Sequence, residues 1–129
     1  MSLWQDLKIK DRIVEILSEI TYADPTHHFG IPFLTAYQLA ILIDERYSEI
    51  RQTLGLPIGG SGVGEHNSLA QYLAKELSTR IRSGEIQDIQ GAFLSNRKLQ
   101  DISFTYGSDG ITSSLTSSQF DLSMYRLQA

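Results

Sequence analysis

The sequence predicts a single α+β domain over residues 1–129, with three N-terminal helices (about residues 1–84) and a C-terminal antiparallel β-sheet (about 85–129). Three observations carry this. Three helical segments begin with the same capping pattern. Apolar residues recur at spacings of three and four as far as Gly84. Beyond Gly84 the apolar period becomes two.

Ser2 with Gln5, Thr35 with Gln38, and Ser68 with Gln71 each place a hydroxyl three residues ahead of a glutamine, the capping-box arrangement. The first helix is predicted from about Leu3 to Ile20. Its main stripe is Leu3, Leu7, Val14 and Leu17, widened by Ile9, Ile13, Ile16 and Ile20. The second starts after Thr35 and carries Ala36, Leu39, Ala40, Ile43, Tyr47, Ile50 and Leu54 inward. Gly55 suits its C-terminal cap, and Pro57 blocks continuation. The third, about Leu69 to Ser83, buries Ala70, Leu73, Ala74, Leu77 and Ile81 and closes at Gly84.

Strands follow. One is expected within Glu85 to Ser95, ending at the turn "SNRK". Ile102, Phe104 and Tyr106 alternate with polar residues. "GSDG", Gly107 to Gly110, reads as a turn before Ile111, Ser113 and Leu115, and Phe120, Leu122 and Met124 alternate again. The connection "FGIPFL", Phe29 to Leu34, is long enough for a brief strand between the first two helices.

The order of helix, short strand, helix, helix and β-hairpin resembles a winged helix-turn-helix domain over roughly residues 3 to 106. The resemblance lies in element order and periodicity. The chain departs from it where Gly55 to Asn67 puts 13 residues between the second and third helices, a connection usually short in that family. The resemblance implies a regulatory, DNA-binding function, with the third helix on the duplex and a wing beside it. The third helix would then present Gln71, Tyr72, Lys75, Thr79 and Arg82 outward, side chains able to reach bases or phosphates. Arg97 and Lys98 would occupy the wing tip. Glu76, on the same broad face, fits an ordinary solvated helix instead.

The glycine loop is the segment that looks most like chemistry. "GLPIGGSGVG" holds five glycines in ten positions. Gly59 and Gly64 have the P-loop separation, but Glu65 and His66 stand where that motif needs lysine and a hydroxyl. An acidic side chain there repels phosphate. The dinucleotide pattern fails as well, its last glycine falling on Glu65. The loop reads as a flexible connector, its one remaining possibility an anion at the N-terminus of the following helix. "DPTHHFG" gathers Asp24, His27 and His28, with His66 elsewhere, but no HxxxH spacing occurs, so no metal is expected. Ser61 lacks the nucleophile-elbow spacing. Asp44–Glu45 reads as solvated surface. No cofactor and no catalytic activity are expected.

The net charge of −4 argues against nucleic acid on average. The distribution is uneven. Residues 1–66 hold five Lys/Arg against nine Asp/Glu, whereas residues 67–100 hold five against three. The chain has no cysteine, which fits a reducing cytoplasm and removes thiolate chemistry. "MSLWQDLKIKDR" does not read as a secretory signal, and the longest apolar run, "LAILI", is far too short to span a membrane. The wide first stripe and the off-stripe Ile41 and Leu42 suggest a homodimer through the helical half. The expected function is thus a small DNA-binding or regulatory protein, with double-stranded DNA as partner. The alternative is a protein-interaction module with no nucleic-acid role.

Overall fold

The computed structural model describes residues 2–21, 30–59, 68–99, 102–112 and 121–128. Each expected helix start is capped by its own side chain. Ser2 Oγ accepts from the Gln5 N–H at 3.3 Å and Ser68 Oγ from the Gln71 N–H at 3.1 Å. Thr35 makes the full reciprocal box: its Oγ1 accepts from the Gln38 N–H at 3.1 Å, and Gln38 Oε1 accepts from the Thr35 N–H at 2.8 Å.

The first helix is broken where the periodicity suggests continuity. α1 spans Leu3–Asp6 and α2 spans Ile9–Leu17, with Lys8 between them in the left-handed region at φ 54°. The physical reason lies in Trp4 and Ile9. On a straight helix those positions point about 140° apart, at 100° per residue. The break lets both enter the core, Trp4 at 4% exposure and Ile9 at 0%. It also changes which stripe is buried. Ile9, Ile13, Ile16 and Leu17 are inside, Leu3 is exposed, and Leu7 and Val14 are only half-buried.

The second helix is likewise divided. α3, Ala36–Arg46, stops at Tyr47, whose φ of −134° and ψ of 62° are not helical, and α4, Ser48–Leu54, follows. Gly55 closes α4 in the left-handed conformation at φ 69°, and the Leu56 N–H turns back to the Arg51 carbonyl at 3.3 Å, as the sequence suggests. α5 spans Leu69–Ser83 and ends at Gly84, matching the predicted bounds. Leu69, Leu73 and Leu77 are fully buried beneath it, and each contributes about 1.5–3 kcal/mol of burial.

The strands divide into two sheets. β1 (Leu34–Thr35), β2 (Ile89–Leu94) and β5 (Leu122–Leu127) form an antiparallel sheet ordered β1–β5–β2. The last strand of the chain is therefore central, with Leu34 opposite Tyr125 on one side and Gly91 opposite Tyr125 on the other. β3 (Ser103–Tyr106) and β4 (Asp109–Thr112) form a separate hairpin inserted between β2 and β5. Gly107, at φ 61°, takes the first position of its two-residue turn, where such hairpins need glycine. Ser113, Leu115 and Phe120 lie outside the described residues.

That hairpin packs on α3. Tyr37 and Phe104 stack with ring centroids 5.2 Å apart. Ile41 and Leu42 line the crevice between α3 and the hairpin, and Ile41 is left 5% exposed. Ile9 and Ile16 lie in the main core at 0% and 1% exposure. The apolar excess read as a dimer surface is covered within one chain and gives no support to a homodimer through the helical half. Among the described residues no helix is long and apolar enough to cross a membrane.

Candidate functional site

The N-terminus of α5 is already occupied by the chain itself. The Leu69 N–H donates to the Pro57 carbonyl at 2.7 Å and the Ala70 N–H to the Ile58 carbonyl at 3.0 Å. The next two N–H groups, of Gln71 and Tyr72, go to Ser68 Oγ and to the Ser68 carbonyl. The Leu69, Ala70 and Gln71 amides, three of the four that a helix start leaves open, thus have acceptors within the chain. The glycine loop closes its own ends, and the phosphate-site possibility loses three of its donors. Residues 60–67, with Glu65 and His66, lie outside the described residues, as do Asp24, His27 and His28. Among the described residues no three His, Asp or Glu side chains gather into a metal-holding group.

Four of the five α5 residues expected to face outward do so together. Gln71, Lys75, Thr79 and Arg82 are exposed and line one open cleft of about 430 Å³ between α5 and the sheet. Their spacing of four, four and three keeps them on one helix face. Tyr72 does not join them. It is half-buried against Trp4, with ring centroids 6.5 Å apart, and burial, with Glu76 nearby, raises its phenol pKa against the opposing effect of Arg80. The flank of α5 that holds Tyr72 belongs to the core side. There Arg80 lies 4.6 Å over the Trp4 ring and pairs with Glu85 at 2.6 Å and with Glu76 at 3.8 Å.

The opposite wall of the cleft was not legible in the sequence. Phe93 of β2, Asp121 and Ser123 of the β5 strand region, and Tyr37 of α3 all line it. Phe93 sits opposite Ser123 in the ladder and is 67% exposed, a large aromatic ring left open to water. Beneath it Tyr125, 1% exposed, bonds its hydroxyl to Ser78 Oγ at 2.9 Å and to the Ala74 carbonyl at 3.2 Å. That bond fixes α5 on the sheet and so sets the width of the cleft. The alternation of Ile89, Gly91 and Phe93 hints at a shared face, but only pairing with β5 turns that face toward α5.

Arg97 and Lys98 lie in the turn that leaves β2, with Lys98 at φ 63° and the Leu99 N–H bonded to the Asn96 carbonyl at 3.1 Å. The Asn96 N–H reaches Asp121 Oδ1 at 2.9 Å, which puts this turn at the far end of the β2–β5 ladder. It does not close a hairpin between successive strands, because β2 pairs with β5 and the β3–β4 hairpin intervenes.

The electrostatics separate two groups of cations. Lys10, Arg12, Arg46, Arg51 and Arg80 each pair with a carboxylate. Lys8, Lys75, Arg82, Arg97 and Lys98 are exposed and form no ion pair among the described residues, and the last four fall in residues 67–100. Asp44, read from sequence as solvated surface, is instead buried and bound by Arg51 and Tyr106, while Glu45 stays exposed.

Comparison of the chain with protein-family models, with curated proteins and with solved structures gave no match in any of the three.

Proposed function

We propose that this protein is a small non-enzymatic DNA-binding or transcription-regulatory protein of winged-helix type. It docks the outward face of α5 on duplex DNA, with the Arg97–Lys98 turn as a second contact. The observation that carries the reading is the set of unpaired cations. Among the described residues Lys75, Arg82, Arg97 and Lys98 have no ion-pair partner, in a chain of net charge −4 where Lys10, Arg12, Arg46, Arg51 and Arg80 are paired and Lys8 is the other exposed cation without one. Uncompensated surface cations gain most from phosphate, since each contact releases a counterion. The strand order β1–β5–β2, with α3, α4 and α5 between the first two strands in sequence, supports the winged-helix comparison. In that comparison the β3–β4 hairpin is an elaboration of the wing.

Retardation of a mixed-sequence duplex at low salt tests this directly. Binding that weakens steeply as salt rises is expected. No retardation at low salt would sink the reading. The rival, a protein-interaction module, then becomes the better account, and it draws on one observation: the large exposed ring of Phe93.

A further inference from the structure

The shape of the cleft says more about its occupant than its charge does. Gln71, Lys75, Thr79 and Arg82 are exposed and can meet a duplex lying across the cleft, but the cleft they line, about 430 Å³, is too small to admit one. That volume falls in the range of sites for small organic molecules, about 300–1,000 Å³. A single base turned out of its stack does fit such a site. Phe93 stands on the wall facing α5, 67% exposed, and Arg82 and Phe93 also line the shallower recess that continues the cleft past Ser78 and Gly91. An aromatic ring beside unpaired cations is the combination that stacks a base while holding the adjoining phosphates.

We propose that the cleft takes an unpaired base, stacked on the ring of Phe93, with the phosphates on either side of it held by Lys75 and Arg82. The inference rests on the nucleic-acid reading above and sharpens it. The favoured ligand is DNA containing an unpaired stretch, not a fully paired duplex. Asp121 on the cleft wall is exposed and accepts the Asn96 N–H, so the two cations of the cleft stand against one carboxylate. An acidic peptide would satisfy the same two cations; the open ring of Phe93, 67% exposed and able to stack a base, favours nucleic acid.

The test compares two labelled duplexes of equal length by fluorescence anisotropy, one fully paired and one with a short run of mismatched thymidines at its centre. The mismatched probe should bind about ten-fold more tightly or better. Phe93→Ala should abolish that preference and leave affinity for the paired duplex unchanged, while Phe93→Trp should retain it. Lys75→Ala and Arg82→Ala should weaken both probes alike. Circular dichroism confirms that each variant is folded, as expected for exposed positions. Equal affinity of the wild type for both probes overturns the inference while leaving the DNA-binding reading intact. So does a Phe93→Ala variant that weakens both probes equally. Displacement of the mismatched probe by a polyglutamate peptide at comparable concentration overturns it too, by showing charge attraction without stacking. If neither probe binds at low salt, the DNA-binding reading and the inference fall together.

Discussion

The hydroxyl of Tyr106 donates to Oδ2 of Asp44, joining the tip of the β3–β4 hairpin to α3. The other oxygen, Oδ1, accepts from Arg51 Nε at 2.8 Å. Asp44 is 5% exposed, so both bonds compensate a carboxylate taken out of water. The pair also ties α3 to α4 across the break at Tyr47.

Tyr106→Phe should therefore destabilise the protein by about 1.5–3 kcal/mol, the usual contribution of a hydrogen bond to a charged group. Asp44→Asn should cost at least as much, because it weakens both bonds at once. Urea unfolding followed by circular dichroism measures each. A change below a few tenths of a kcal/mol in Tyr106→Phe would show that the Tyr106–Asp44 bond does not hold the hairpin.

The same bond gives alkaline pH a defined effect. The Asp44 carboxylate, aided by burial, raises the pKa of the Tyr106 phenol above the ordinary tyrosine value. A group whose pKa is higher folded than unfolded contributes stability that is complete below its unfolded pKa, about 10 for tyrosine. That contribution disappears as pH rises through the folded value. Stability should fall above about pH 10, and Tyr106→Phe should flatten the fall. Denaturant midpoints on both sides of that pH, in wild type and variant, decide it.

Gly30 has φ 93°, and a Cβ added there would stand 2.7 Å from Nη1 of Arg126. That guanidinium donates to the Ile31 carbonyl at 3.0 Å and lies 4.3 Å over the Phe33 ring. Gly30→Ala should cost about 1–3 kcal/mol, partly from backbone strain and partly from displacing Arg126. Loss of β1 pairing in hydrogen exchange should accompany it. An unchanged unfolding midpoint would contradict this account of the glycine.

Ser68→Ala should cost about 1 kcal/mol, the typical loss of an N-cap side chain. Neither wild type nor variant should bind magnesium-ATP by calorimetry, because Pro57 and Ile58 carbonyls still hold the leading amides of α5. Micromolar, magnesium-dependent binding would refute that.

For DNA, each phosphate neutralised adds about 0.9 to the slope of log affinity against log salt. Four contacts from Lys75, Arg82, Arg97 and Lys98 would give roughly −3.6. Arg82→Ala should weaken binding to every sequence and flatten the slope by about one unit. Gln71→Ala should change sequence preference at an unaltered slope. A Gln71 variant that behaves like the Arg82 variant would place both on the backbone.

The sequence by itself determined the helix starts at Ser2, Thr35 and Ser68, the helix ends at Gly55 and Gly84, and the whole of α5. It also determined the change to strands and the basic character of residues 67–100. Each is set within a turn or two of chain, by a cap, a left-handed glycine or an apolar period. The tertiary structure alone decided what depends on distant partners. Trp4 and Ile9 needed a common core before the chain could break at Lys8. Asp44 became a buried acid only when Tyr106 reached it from the hairpin. Phe93 came to face α5 only through pairing with β5, the last strand made and the central one in the sheet. Strand partners across such separations leave no local signature, because a period of two specifies a face but not the neighbour that covers it.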